Sequence, residues 1–280
     1  MFGYNVVQFI VNMSISDLRI RFIAQLEKAP HRVLLLDYDG TLAPFRPARD
    51  RAFPYEGVRE ILRNILDARH TRLVIISGRA IKDLLPLLGM NRPPEIWGSH
   101  GWERLLPDGT YQQAPLSQEA TLLLNQAAAF LRNQGWDSDS EIKPAGIALH
   151  WRGYNDAEID NRRRHFSAWW ESRPPSDEIS LLEFDGGLEL RPAGKDKGDA
   201  VRAILAESPA GTKVAFLGDD ATDEDAFKAI AGRGLPVLVR PQFRETAAEV
   251  WLKPPEELVH FLAQWHTISL NSQMGPLGNR

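Results

Sequence analysis

Asp37 and Asp39 lie two residues apart in Asp37-Tyr38-Asp39-Gly40-Thr41, immediately after the apolar run Val33-Leu34-Leu35-Leu36. Two carboxylates so spaced can divide a group transfer between them. One attacks as a nucleophile, and the other carries a proton to and from the reacting group. The uninterrupted Val/Leu run reads as a strand buried on both faces, as in the middle of a parallel sheet. Ending it in two unpaired charges is expensive unless they stand in the crevice at its C-terminal end, where open α/β sheets bind ligands. Side chains two apart on a strand point the same way, so both carboxylates can face one reaction centre, and Gly40 lets the chain turn away. Without such a centre, Asp39-Gly40 is an ordinary turn with solvated carboxylates.

A second acidic cluster, Gly218-Asp219-Asp220-Ala221-Thr222-Asp223-Glu224, follows the apolar stretch Val214–Leu217. Part of it reads as a helix start, with Thr222 as N-cap and Asp223, Glu224 and Asp225 in the first turn. That leaves Asp219 and Asp220 unexplained. Two acidic strand ends on one sheet repel unless a cation separates them. Oxygen-only donors suit Mg²⁺ held by one or two carboxylates and a substrate phosphate. Ile75-Ile76-Ser77-Gly78-Arg79 repeats the passage from strand to polar turn. The Ser77 hydroxyl and N–H groups at a helix start suit a phosphate oxygen, although Ser-Gly alone also makes a simple turn. Lys197-Gly198 opens a helix after Gly194. A lysine there opposes the helix dipole and an anion would offset it, so Lys197 reads either as a phosphate ligand or as a solvated charge.

The elements that must position these residues alternate along the chain. Strands are predicted at Val33–Leu36, Leu73–Ile76, Ile96–Trp97, Val214–Leu217, Pro236–Val239 and Val250–Leu252. Helices are predicted at Gly57–Ala68, Ile81–Leu88, Lys197–Ala206, Asp223–Ala231 and Pro255–Trp265, after an amphipathic helix at Ser16–Lys28. Such alternation implies an α/β fold, a Rossmann-like and mostly parallel sheet with helices on both faces. The rhythm changes between about Leu105 and Leu188. There the pattern predicts helices at Ser117–Gln134 and Asp156–Ser172. Strands are predicted at Glu141–Lys143, Ile147–Trp151, Leu181–Phe184 and Leu188–Arg191, the last two joined by the turn Asp185-Gly186-Gly187. This reads as an inserted, smaller α+β domain with linkers near Arg104–Asp108 and Pro192–Lys195. The expected organisation is an N-terminal extension (1–28), a discontinuous core (29–104 and 192–268), the insert (105–191) and a flexible tail (269–280).

Composition bounds the rest. The chain has 280 residues, 43% hydrophobic and 25% charged, ordinary for a globular protein. A net charge of −4 argues against a general nucleic-acid binder but leaves room for a local basic pocket. With no cysteine, disulfides and thiolate chemistry are excluded and a cytoplasmic location is expected. No apolar stretch reaches the roughly 18 residues that span a bilayer. Met1–Met13 is apolar but lacks a basic start and a small-residue cleavage site, so no signal peptide is expected.

The order of these motifs resembles the haloacid dehalogenase superfamily: a nucleophile-like Asp, then Ser, then Lys, then an acidic pair. The blocks LLLDYDGTLAP, VIISGR, GSHGWE, ELRPAGKDKG and LGDDATDEDAF resemble, more narrowly, the trehalose-6-phosphate phosphatases, from about His31 to Leu252. The resemblance implies that Asp37 forms an aspartyl-phosphate and that Asp39 protonates the leaving sugar oxygen and later activates water. It implies Mg²⁺ on Asp37, the main-chain carbonyl of Asp39 and Asp219, with Asp220 and Asp223 nearby. Lys197, Ser77 and Thr41 would neutralise or hydrogen-bond the phosphoryl group. The insert would be a cap that reads the sugar through Lys143, His150, Arg152, Glu189 and Arg191, with His100, Gly101 and Glu103 contributed by the core. Arg79 would bind substrate or an acidic neighbour, and Trp151 would keep an aromatic face for sugar stacking. The expected substrate is trehalose 6-phosphate, for a monomeric enzyme whose pathway partner, a trehalose-6-phosphate synthase, is a separate chain. Alternatives are a phosphatase for glucosyl- or mannosyl-glycerate phosphate, a phosphotransferase to an acceptor other than water, or a non-catalytic sugar-phosphate sensor.

Overall fold

The computed structural model describes residues 18–46, 48–184 and 186–271. Eight strands form one sheet in the order β12-β11-β10-β1-β2-β3-β4-β5. They are β1 (Arg32–Leu36), β2 (Arg72–Ile76), β3 (Glu95–Gly98), β4 (Glu103–Leu105), β5 (Tyr111–Gln113), β10 (Lys213–Gly218), β11 (Leu235–Val239) and β12 (Val250–Leu252). From β12 to β3 all pairings are parallel; β4 and β5 add an antiparallel edge. A second, wholly antiparallel sheet has the order β6-β7-β9-β8, built from Ser140–Lys143, Gly146–His150, Gly187–Pro192 and Ile179–Phe184 respectively. The α/β reading and the inserted α+β unit both hold.

Period-2 alternation explains why the central strands are apolar throughout. On β1, Leu34 and Leu36 face one helical layer, formed by helix α1 (residues 18–27), α2 (Val58–Ala68), α3 (Ile81–Leu88) and α8 (Glu256–Asn271). Val33 and Leu35 face the other, where α6 (Lys197–Glu207) and α7 (Glu224–Ile230) pack with Phe216 and Phe227. In the insert, α4 (Gln118–Asn133) and α5 (Asp156–Glu171) cover one face of the second sheet around Phe166, Leu149 and Leu190. The pattern behind α5 is reinforced locally, because Asn155 and Glu158 form a reciprocal capping box. Among the described residues, no helix is long and apolar enough to cross a membrane.

Three boundaries differ from expectation. β4 and β5 carry the first sheet on to Gln113, past the expected start of the insert at Leu105, and the insert's own apolar cluster begins near Leu116. The sequence of β5, Tyr-Gln-Gln, is exposed and has no apolar face to betray it. The helix at 18–27 is not an appendage: Phe22 and Leu26 enter the first core cluster, and the Phe22 ring lies 6.1 Å from that of Trp265. Helix α8 runs to Asn271 rather than ending near Trp265, because Ile268 and Ser269 are buried and the Ser269 hydroxyl pairs with Thr71 (3.0 Å). The segment 1–17, the remainder of the tail (272–280) and Asp185 of the expected turn lie outside the described residues.

Truncating Leu26, fully buried beneath α8, leaves a cavity in the core that the rest of the layer cannot fill. Leu26→Ala is expected to destabilise the protein by about 2–5 kcal/mol. Chemical denaturation checks it, and a change below the scatter of surface substitutions would mean that α1 is dispensable.

Candidate active site

β1 is central, and the chain leaves it towards β2 on one side and β10 on the other, which opens a crevice at the C-terminal strand ends. Asp37, Ser77 and Asp219 are the first residues beyond β1, β2 and β10. The strand itself stops at Leu36, and the next residues curl into a turn in which Leu42 and Ala43 both donate to the Tyr38 carbonyl. Gly40 adopts φ +84°, and a Cβ there would lie 2.1 Å from an Asp219 carboxylate oxygen, so no other residue fits.

Asp37 and Asp39 therefore do not share a strand face but answer to different cations. Lys197 Nζ, on the first residue of α6, donates to Asp37 Oδ1 (2.6 Å) and to Asp223 Oδ1 (2.7 Å), and all three residues are buried. Arg79 grips Asp39 at two points, Nε to Oδ2 and Nη2 to Oδ1, both 2.6 Å, and its Nη1 donates to the Arg49 carbonyl. Arg79 thus takes the acidic neighbour. Asp223 Oδ2 accepts the main-chain N–H groups of Asp219 and Asp220 (3.0 Å each), and Arg240 and Arg244 donate to the carbonyls of the same turn from outside. The expected Thr222 cap is replaced by Asp220, whose carboxylate accepts the Ala221 N–H and heads a short helical turn before α7.

One lysine cannot balance three buried carboxylates. Asp219 Oδ1 is buried with no hydrogen-bond partner. Burial, reinforced by Asp37, Asp223 and Asp220, pushes the Asp219 carboxyl well above its usual value. Burial also raises Asp37, to about 7, against the pull of Lys197. Lys197 is held protonated: burial would lower it, but Asp223 and Asp37 outweigh that. Ligand atoms of Asp37, Asp219 and Asp223 lie within 4.8 Å of one another. The surplus negative charge, the orphaned oxygen and the all-oxygen donor set fit a hard divalent cation. Asp220 is not part of this trio, because its carboxylate serves the turn.

Above the carboxylates lies a cavity of about 100 Å³, walled by the loops at the first sheet's strand ends and by strands of the second sheet. From the core it is lined by Asp37, Asp39, Arg79, His100, Lys197, Asp219 and Asp220, and from the insert by Lys143, His150, Arg152 and Glu189. Strand alternation brings the latter together: on β7 and just beyond it, Ile147, Leu149 and Trp151 turn into the insert's apolar core, while His150 and Arg152 turn towards the crevice. Trp151 is accordingly buried and offers no stacking face, contrary to expectation. The insert's charges are paired across the cavity. Lys143 Nζ donates to Glu189 Oε1 (2.5 Å), and Glu189 Oε2 lies 3.2 Å from His100 Nε2. Burial would raise Glu189, but Lys143 and His100 hold it well below the usual carboxylate range. Burial lowers His100 to about 4 despite Glu189, so its ring is neutral at pH 7.

Apart from Asp223, which lies behind Lys197, five expected residues do not line this cavity. Glu103 is buried under the turn, accepting from Ser99 Oγ (2.6 Å), the Ile81 N–H and the Tyr111 hydroxyl, and so holds the loop carrying His100. Gly101 supplies φ +101° to that same loop. The Ser77 hydroxyl accepts the Arg79 N–H, Thr41 is fully buried, and Arg191 lies outside the lining. Phe45, Arg49, Phe184, Gly78 and Thr222 line the cavity without having been expected to. No motif marks Phe45 or Arg49; only the fold carries their loop back to the crevice.

The chain matches the family described as Trehalose-phosphatase over residues 35–250. It is 33% identical over 262 residues to a trehalose-phosphate phosphatase of Mycobacterium marinum, an alignment that covers 89% of this chain and 64% of the relative, just under two thirds. It is 30% identical over 289 residues to a protein of Oryza sativa named probable trehalose-phosphate phosphatase 3, covering 91% of this chain and 75% of that one. Among solved structures, the C-terminal domain of the Candida albicans trehalose-6-phosphate phosphatase superposes with a TM-score of 0.74 at 20% identity, covering 89% of this chain and 96% of that domain. That likeness speaks for the fold.

The charge imbalance has a measurable sign. Without divalent cations, groups whose carboxyls are raised on folding stabilise the protein below the ordinary value of 3.8, and that contribution is lost as pH rises towards about 7. Saturating Mg²⁺ is expected to raise Tm by several degrees at pH 7 and to flatten this loss. Asp219→Asn should raise the metal-free Tm and abolish the Mg²⁺ response. A thermal melt series with and without chelator checks both.

Proposed function

The chain belongs to the trehalose-phosphatase family, and we propose on that premise that it hydrolyses trehalose 6-phosphate to trehalose and phosphate through an aspartyl-phosphate on Asp37. The observation that carries the reading is the buried Lys197 ammonium on Asp37, at a strand end beside an unsatisfied carboxylate and beneath a charged cap.

In the first step an Asp37 carboxylate oxygen attacks phosphorus and the bond from phosphorus to the sugar oxygen breaks. Asp39 gives its proton to that oxygen, so the sugar leaves as an alcohol rather than an alkoxide. In the second step Asp39 takes a proton from water, which attacks the same phosphorus and releases Asp37. Lys197 neutralises the nucleophile's charge, which otherwise repels a phosphate dianion. Mg²⁺, held by Asp37, Asp219 and the main-chain oxygen of Asp39, with Asp223 behind them, would neutralise the phosphoryl oxygens when bound. Arg79 fixes Asp39, and its two-point grip must loosen as the carboxyl turns to the leaving oxygen. From the cap, Lys143, His150, Arg152 and Glu189 present donors and acceptors matched to sugar hydroxyls.

Phosphate release from a panel of sugar phosphates tests the reading. Trehalose 6-phosphate is expected to be turned over best, in the presence of Mg²⁺. Asp37→Asn should reduce release to background, and Asp39→Asn should cost about 10²–10⁴-fold in kcat. Preference for a glycerate-linked sugar phosphate would retain the chemistry and reject the disaccharide. Binding without turnover would reject the enzyme altogether.

A further inference from the structure

Helices α2 and α3 each lead into the next strand, so their last turns lie at the N-terminal ends of the strands, opposite the carboxylates. Both border a cleft of about 600 Å³, closed by the loop 89–93 and by Pro107 of the turn between β4 and β5. Small-molecule sites span roughly 300–1,000 Å³. The charged lining of this one is three guanidiniums against a single carboxylate: Arg63 from α2, Arg69 from its end and Arg92 from the loop after α3, with Asp67. Among the described residues, none of the three guanidiniums has a hydrogen bond, an ion pair or a ring contact. Neighbouring arginines do. Arg72 and Arg104 are held by Glu95 and Glu207, and Arg32 and Arg59 donate to main-chain carbonyls. Asp67 lies one helical turn on from Arg63, within reach of a pair, and no pair forms.

Attraction to the last carbonyls of a helix accounts for a cation at Arg69. It does not account for Arg63, which precedes the last turn of α2, or for Arg92, three residues beyond the cap of α3. The backbone adds a second observation. Both helices end in the left-handed region, at Arg69 (φ 58°) and Gly89 (φ 57°). Glycine enters that region freely, whereas arginine does so at a cost. A strained side chain kept at such a point implies a task for it. Between the guanidiniums the cleft is apolar: Leu66 and Met90 pack against the first core cluster, and Pro93 and Pro107 form walls.

We propose that this cleft is a second ligand site, one that takes a small organic phosphate: the dianion on Arg63, Arg69 and Arg92, and the apolar body on Leu66 and Met90. Guanidinium forks match phosphoryl oxygens at two points each, which a lysine cannot do. A concave cleft suits a small molecule, and a chain of net charge −4 repels extended polyanions over the rest of its surface. The cleft shares no residue with the cavity over the carboxylates, so the failure of one reading leaves the other standing.

Phenylphosphonate is a suitable probe, because it carries a dianion and an apolar ring and has no ester bond to hydrolyse. It is titrated into the full chain with chelator present, when the surplus of carboxylates at the other site repels anions. Side-chain NMR of isotope-labelled arginine reads where it binds, and Arg63→Gln, Arg69→Gln and Arg92→Gln assign the three signals. Saturable shifts of all three are expected, with weaker binding of inorganic phosphate, which lacks the ring. Each Gln variant should weaken binding about tenfold. Arg69→Gly should weaken it as much while raising Tm by about 2 °C, because the strain at that residue is removed. Shifts confined to Arg79 and Arg152 put the anion over the carboxylates and overturn the second site. Shifts that never saturate also overturn it, as unspecific charge attraction. Equal affinity for inorganic phosphate overturns the organic ligand, and a lowered Tm in Arg69→Gly overturns the role given to Arg69, which would then serve the helix end.

Discussion

The Lys197 ammonium group is the constraint from which the rest of the site follows. It lies between Asp37 and Asp223, at 2.6 and 2.7 Å, with at most 4% of any of the three side chains left to solvent. Burying an ammonium is costly unless geometry and partners repay it, and removing one partner of such a group costs several kcal/mol. The lysine therefore dictates where three pieces of chain must meet: the end of β1, the start of α6 and the turn before α7. Gly198 lets α6 come this close, since a Cβ there would stand 2.6 Å from the Asp225 carbonyl oxygen. The Asp196–Asp199 capping box fixes the helix end that carries the lysine. Three acids around one base leave the site short of positive charge, a deficit that a bound divalent cation would make up.

Much of this was legible because central parallel strands announce themselves. Val33–Leu36, Leu73–Ile76 and Val214–Leu217 are apolar on both faces and each runs into charge, a combination that only a sheet-end crevice tolerates. Asp37 and Asp219 could be named from that alone, and Lys197 from its place at a helix start. Less legible was what each polar residue does once there. Glu103, Ser77 and Gly101 sit in blocks that read as binding motifs, yet their side chains or φ angles hold loops. A buried carboxylate that bonds a hydroxyl and an N–H is indistinguishable in one dimension from one that bonds a ligand. Phe45 and Arg49 were invisible for the opposite reason: they lie in an irregular loop rich in Pro and Arg, with no periodicity to assign them a face. β5 escaped because an edge strand of Tyr-Gln-Gln has no apolar stripe.

The cap obeys a simpler rule. Strand alternation sends Ile147, Leu149, Leu188 and Leu190 into its own core and His150 and Glu189 towards the cavity over the carboxylates. Its inward face is charged, but the charges are neutralised among themselves and with Arg49, and Glu189 also meets the neutral ring of His100. A ligand that enters exchanges one set of hydrogen bonds for another instead of desolvating bare ions, which keeps the cost of recognition low.

The insertion of the cap between β5 and α6 has a further consequence, in time rather than space. Every strand of the cap sheet pairs with a neighbour made within about fifty residues, from Ser140 to Pro192. The central strand β1, by contrast, must wait for β10, with Arg32 opposite Lys213. On a ribosome adding roughly 5–20 residues each second, the cap is fully synthesised while the core is still open along one edge and Asp37 lacks its lysine. The cap is thus complete before the crevice at the core's strand ends can exist. The cluster of Asp37, Lys197 and Asp223 cannot assemble until the turn before α7 has emerged.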